Sequence, residues 1–310
     1  MLSVSRAPAT VSKYNRAVSA WKNWCAAHKV RAIPAEPQDV ANYYMSQYNN
    51  GAPYSRIETA HYSLKWFHDC SPLTINNPCD SKFIRLLLAG LKRILAKPKN
   101  KKDPITPDIL SKIILKFGDS KVLSDVRLCA MTLMSYAGFF RHAELINLRV
   151  CDVSIFQSHI KCFIQCSKTD QYREGAWVII AATGKLTCPV SMLMKYLNSA
   201  KITLDSVSED FMFRPIVFKN SDRTYALRDG KISYTTCLEL FKKALSAVGE
   251  DPSKFGLHSL RAGGASAAAE VGISDRLFKK HGRWASDSAK DGYVKESLQN
   301  QLSVSLNLGI

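Results

Sequence analysis

The sequence predicts a mainly α protein with one small antiparallel β-sheet, divided into two domains. Three observations carry that fold class. Apolar residues recur at helical spacing along most of the 310-residue chain. The pattern changes to short β-rich runs only between Asp152 and Ile180. The segment Lys97-Pro98-Lys99-Asn100-Lys101-Lys102-Asp103-Pro104 sets four lysines and two prolines where no core forms and no helix continues. The expected organisation is a helical domain over 1–96, a basic linker over 97–104 and an α+β domain over 105–310.

The N-terminal domain reads as four helices. Tyr14, Ala17, Trp21, Trp24 and Cys25 mark the first, Val40–Tyr48 the second, and Ser55–His68 the third, with Ile57, Leu64 and Phe67 inward. In the fourth, about Asp80–Ala96, Phe83, Leu87, Leu91 and Ile94 fall on one side and are expected to pack. Lys82, Arg85, Lys92, Arg93 and Lys97 share an arc of about 140° on the other side. Together with Lys99, Lys101 and Lys102 of the linker, these cations are candidate contacts to a polyanion.

In the C-terminal domain Thr106 reads as an N-cap with Pro107 at the first helical position, opening a helix to Phe117. A buried helix over Ser124–Tyr136 and a short one over Arg141–Leu148 follow. Val153–Phe156, His159–Cys166 and Ala176–Ile180 form the expected sheet, and helices return at Pro189–Ser199, Tyr234–Val248, Ser259–Val271 and Asp275–His281.

Composition narrows the function. The net charge is +17, denser toward the N-terminus, where 16 basic face 6 acidic residues up to Asp103, and it points to a polyanionic partner. No apolar run approaches the roughly 18 residues of a membrane span. Met1–Thr10 lacks a continuous apolar stretch and is not expected to be a secretory signal. Nine cysteines at irregular spacing fit a reducing compartment. The closest pair, Cys162 and Cys166, reads as buried thiols rather than a metal site.

Four clusters carry candidate chemistry. Gly138 ends an apolar helix and Arg141 opens the next, with Glu144 three residues on and able to orient it; a surface ion pair is the alternative. Lys168 sits at the end of a strand, with Lys161 and Arg173 as rivals for an inward-pointing cation. His258 and Arg261 share the first turn of a helix, where imidazole, guanidinium and helix N-terminus together suit one phosphate. Gly282-Arg283-Trp284 precedes Tyr293, with His281 a rival for the place of Trp284.

In chain order these give an arginine, a hairpin lysine, His-x-x-Arg, a tryptophan and, nine residues later, a tyrosine. That order resembles the tyrosine recombinase (phage integrase-like) family over residues 8–300. The wording from His258 to Ala265 and at Gly282-Arg283-Trp284 is similar to eukaryotic mobile-element recombinases of the crypton type. The resemblance implies a two-domain DNA clamp, with a helical core-binding domain, that performs site-specific strand exchange. Arg141 and Arg261 would hold the scissile phosphate, Lys168 protonate the leaving 5′-oxygen, His258 manage the tyrosine proton and Trp284 donate its indole N–H. Tyr293 would attack to form a 3′-phosphotyrosyl bond, and Glu144 would support Arg141. With those cations present the chemistry calls for no metal or other cofactor, because one phosphodiester is exchanged for another.

The resemblance further implies double-stranded DNA as partner and a homotetramer on it. The apolar positions Leu298, Leu302, Val304 and Leu306 would then serve tail exchange between protomers. The expected location is the nucleus in a eukaryotic host and the cytoplasm or nucleoid otherwise. A type IB topoisomerase-like nicking-closing enzyme and a non-catalytic DNA-binding descendant are the alternative readings.

Overall fold

A computed structural model describes residues 6–98, 100–167, 170, 174–219 and 224–309. The chain divides into two compact units, Met1–Asn100 and Lys101–Ile310. Four helices build the first: α1 (Pro8–His28), α2 (Pro37–Asn49), α3 (Tyr54–Asp69) and α4 (Lys82–Ile94). Their core gathers Trp21, Tyr44, Ile57, Leu64 and Ile84. The one polar atom of Trp21, its indole N–H, donates to Ala32 O at 2.9 Å, so this large ring is buried without an orphaned donor.

The α4 helix departs from the expected packing face. Ile84, Leu88 and Leu91 turn inward, whereas Phe83 is 49% and Ile94 67% exposed. The run from Phe83 to Ile94 holds two overlapping i, i+4, i+7 stripes, and periodicity alone does not choose between them. The core receives the compact aliphatic stripe, and Ser81 caps the helix, its Oγ accepting from the Ile84 N–H at 3.2 Å. Lys82, Arg85, Lys92 and Arg93 remain exposed.

The second unit opens with α5 (Pro107–Phe117), capped by Thr106 Oγ1 on the Ile109 N–H at 3.3 Å. Then come α6 (Leu123–Ala137), buried on every face from Val126 to Ser135, and the single-turn α7 (His142–Ile146). Strands β1 (Val153–Ile155), β2 (His159–Ile164) and β3 (Ala176–Ala181) form one antiparallel sheet in the order β1-β2-β3. The register pairs Val153 with Cys162 and Cys162 with Val178, so Ile160, Cys162, Ile164, Val178 and Ile180 all enter the core, as a strand's two-residue period requires. Cys166 lies past the end of β2 and is exposed, so it is not the buried thiol that the spacing suggested.

After α8 (Pro189–Ala200) a second hairpin intervenes, β4 (Ile216–Lys219) with β5 (Thr224–Leu227), which the sequence pattern does not announce. Helices α9 (Tyr234–Ala247), α10 (His258–Glu270), α11 (Asp275–Gly282), α12 (Asp287–Asp291) and α13 (Leu298–Leu306) complete the unit. No described helix is long and apolar enough to cross a membrane.

The placement of α10 decides where Arg261 stands. A Cβ added at Gly263 would stand 2.1 Å from Ile105 O, and one at Gly264 2.1 Å from Tyr136 O. The paired glycines therefore let the α10 backbone lie directly on the end of α6 and on the segment entering the unit, where the Ile105 N–H donates to Ser259 O at 2.9 Å. That approach carries Arg261 under the turn that leads to Arg141. Gly264→Ala is expected to cost about 1–3 kcal/mol by overpacking, lowering the melting temperature by roughly 2–4 °C per kcal/mol. An unchanged melting temperature in a thermal scan would show that α10 is not held at this distance.

Candidate active site

Gly138 ends α6, and the chain turns through Phe139, a non-glycine residue at φ 46°, into Phe140 and Arg141. Arg141 is the N-cap of α7, and Glu144 occupies the third position of that helix. One carboxylate oxygen, Oε2, accepts from the Arg141 backbone N–H at 2.9 Å, and the other, Oε1, from Arg141 Nη1 at 2.6 Å. The pair is buried, with only 12% and 2% of the two side chains exposed, and is therefore not a surface ion pair.

Two more guanidinium groups converge on the same carboxylate. Arg283 Nη2 lies 2.8 Å and Arg261 Nη1 3.8 Å from Glu144 Oε2. Burial alone would raise the Glu144 carboxyl, but Arg283 foremost, then the Arg141 backbone N–H and the Arg141 charge, bring it below its ordinary value. Arg261 is fully buried; burial first, and the neighbouring Arg141 charge second, bring it down to about 10, so it is still a cation at neutral pH. Three cations on one carboxylate leave a local excess of positive charge in a desolvated place.

Arg261 is clasped by backbone and covered by rings. Its Nη1 donates to Phe139 O and its Nη2 to Gly282 O at 2.6 Å, while its Nε has no partner among the described residues. Its Cζ sits 4.8 Å from the ring centroid of Trp284 and 4.8 Å from that of Tyr293. The two rings are themselves 5.7 Å apart. The Trp284 indole nitrogen is buried and unpartnered among the described residues, an expensive state for an N–H donor. Gly282 makes room for that indole: a Cβ there would stand 1.8 Å from the ring.

Of the expected site residues, Arg141, Glu144, Arg261, Trp284 and Tyr293 come together in one cluster. His258 is the first residue of α10, exposed, three residues before Arg261. Its charge, after burial, helps bring the buried His142 imidazole down to about 4. His281 instead has a structural partner, its Nε2 donating to Ala137 O at 2.8 Å and its ring set edge-on to Phe139. Lys168 lies outside the described residues, as do Arg173 and Lys99. Lys161 stands on β2 with its Nζ 4.1 Å from the Trp177 ring. Lys97 is exposed. Lys101 and Lys102 find carbonyl partners within the second unit, Gly292 O at 3.3 Å and Ser253 O respectively. The residue that sequence reasoning missed is Arg283, between Gly282 and Trp284.

Comparison with known proteins places this arrangement. Residues 105–299 match the phage integrase family. An integrase/recombinase XerD homolog of Selenomonas ruminantium is 26% identical over 297 residues, 95% of this chain and 84% of that protein. Among solved structures, a XerH site-specific recombinase bound to a palindromic difH substrate superposes with a TM-score of 0.61 at 13% identity, covering 96% of this chain and 77% of that one. A lambda integrase dimer bound to a COC′ core site gives 0.56 at 16% identity over 95% and 91%. A Tn1549 transposon integrase in complex with circular-intermediate DNA gives 0.55 at 15% identity over 88% and 85%.

The buried carboxylate has a measurable consequence for stability. The Glu144 carboxyl titrates lower in the folded chain than in the unfolded one. Its stabilising share is thus fully present above about pH 4.5 and is lost as pH falls through the lower folded value. Glu144→Gln is expected to cost about 3–5 kcal/mol at pH 7, the penalty for leaving buried charge uncompensated. In urea denaturation the gap between the two proteins should narrow below pH 4.5; a gap independent of pH would contradict the buried ionised carboxylate.

Proposed function

The chain belongs to the phage integrase family, the tyrosine recombinases, and from that premise we propose how its residues break and rejoin DNA. It is a site-specific DNA recombinase that works through a tyrosine-linked intermediate. The observation that carries the residue assignment is the buried surplus of donors at one spot. Trp284 Nε1 and Arg261 Nε lack partners among the described residues, and three guanidinium groups share one carboxylate. A phosphodiester oxygen is the anion that such donors suit, and its charge grows in the transition state.

In the proposed reaction the Tyr293 hydroxyl oxygen attacks the scissile phosphorus and its proton passes by way of His258. The bond from phosphorus to the 5′-oxygen breaks, and Lys168 supplies the proton that makes the leaving 5′-hydroxyl. A 3′-phosphotyrosyl bond replaces the phosphodiester, so the reverse attack by a partner strand's 5′-hydroxyl rejoins DNA without an external energy source. Arg141 and Arg261 balance charge on the non-bridging oxygens, and Glu144 fixes Arg141.

Double-stranded DNA is the proposed substrate, with the exposed cations Lys82, Arg85, Lys92, Arg93 and Lys97 on its phosphates. The proposed assembly is a homotetramer. It is supported by α13, whose Leu298, Leu302, Val304 and Leu306 are all exposed, and by an apolar groove of about 470 Å³ lined by Phe139, Trp177, Ile179 and Leu277. The residues His258 to Ala265 and Gly282 to Trp284 support a crypton-type eukaryotic mobile element as the source, and with it a nuclear location.

A duplex nicked next to the crossover site traps the covalent complex. Wild-type protein is expected to become attached and Tyr293→Phe to give no detectable adduct. Phenylalanine keeps the ring over Arg261, so DNA binding should persist and fall steeply with salt. Binding without attachment by the wild type would favour a non-catalytic descendant, and a persistent monomer that relaxes supercoils would favour a topoisomerase-like enzyme.

A further inference from the structure

Resting on the proposed strand cleavage, we infer that Arg283 is a positioning residue for that reaction, acting through Glu144. Arg283 ends α11 in the left-handed region, φ 55° and ψ 41°. Its N–H donates to Lys280 O at 3.1 Å and the following Trp284 N–H to Lys279 O at 3.2 Å. This is the doubly hydrogen-bonded helix stop in which glycine is preferred, because a Cβ there crowds the backbone. Lys29 and Lys201 end α1 and α8 in the same conformation, so a reason for the arginine here has to come from its side chain.

The side chain supplies one. Nη1 donates to Gly138 O at 3.1 Å and His281 O at 2.7 Å. Nη2 donates to Phe139 O at 2.9 Å and Glu144 Oε2 at 2.8 Å. The group is 7% exposed, with its Cζ 5.3 Å from the Phe140 ring centroid. All of its Nη donors are engaged by protein acceptors, and its Nε, like that of Arg261, has no partner among the described residues. What it joins are the separate parts of the site. Phe139 O also accepts from Arg261 Nη1, Gly282 O accepts from Arg261 Nη2, and Trp284 adjoins Arg283 in the chain. Arg283 thus ties the turn before Arg141 to the segment that carries Trp284.

It is also the largest of the influences that favour ionisation of Glu144, ahead of the Arg141 backbone N–H and charge, and, after burial, its charge helps keep the neighbouring His281 imidazole low. Without Arg283 the buried carboxyl would protonate more readily, and a neutral carboxyl would no longer hold Arg141 in place. Lysine could keep the charge but not the four bonds, because its three donors radiate from one point.

The test measures DNA affinity, melting temperature and single-turnover attachment to the nicked duplex, from pH 7.5 to pH 5, for wild type, Arg283→Gly and Arg283→Lys. Glycine suits the backbone, so Arg283→Gly is expected to fold and to bind DNA within about twofold of wild type. Its attachment rate should drop on the order of a hundredfold, as displacement of reacting groups does, and the ratio to wild type should fall further as pH decreases. Arg283→Lys should recover the pH-independent ratio but only part of the rate. A wild-type rate in Arg283→Gly, or a deficit with the same ratio at every pH, would overturn the inference while leaving the wild-type attachment, and hence the cleavage reading, intact. Should Arg283→Gly fail to fold, a wild-type rate in Arg283→Lys would overturn it equally.

Discussion

One carboxylate organises the catalytic unit. Glu144 is nearly sealed from solvent and receives the guanidinium groups of Arg141 and Arg283, with Arg261 close behind at 3.8 Å. Three cations so near one another would repel in a desolvated setting, and without the carboxylate each would carry a penalty of several kcal/mol. The carboxylate holds them while leaving their charge uncancelled. That imbalance, costly in the DNA-free chain, is what a phosphodiester would relieve in the proposed reaction. A site that binds the reaction's developing charge more strongly than its ground state raises the rate of the chemical step and not affinity alone.

The same economy explains the rings. Arg261 carries Trp284 and Tyr293 on its guanidinium, so the proposed nucleophile rests against the cation that would stabilise its target. Cation and ring face attract, and the contact keeps the phenol within the cluster. It also covers Arg261, which is inaccessible to solvent in the DNA-free chain. Tyr293 lies beyond the short α12, outside any long helix.

Much of this was legible in the sequence, for identifiable reasons. The spacing of Arg141 and Glu144 is a local helix-start pattern, and local patterns survive tertiary context. The cap at Thr106 and the three-stranded sheet also follow from local chemistry. The α4 packing face was misjudged because two apolar stripes overlap and only neighbouring helices choose between them. The β4–β5 hairpin lies beyond the one β-rich stretch that the pattern announces. The part played by Arg283 is not legible locally. Its partners, Gly138, Phe139 and Glu144, lie about 140 residues earlier in the chain, and no local rule couples such distant positions.

The account depends on Tyr293 being the atom donor of the covalent bond. Mass-spectrometric mapping of the trapped protein–DNA adduct after trypsin and nuclease digestion addresses this directly. A nucleotide remnant joined through its 3′-phosphate to Tyr293, in the peptide from Asp291 to Lys295, is the expected result. Attachment at any other residue, or through a 5′-phosphate, would contradict the convergence of these groups on a single scissile phosphate.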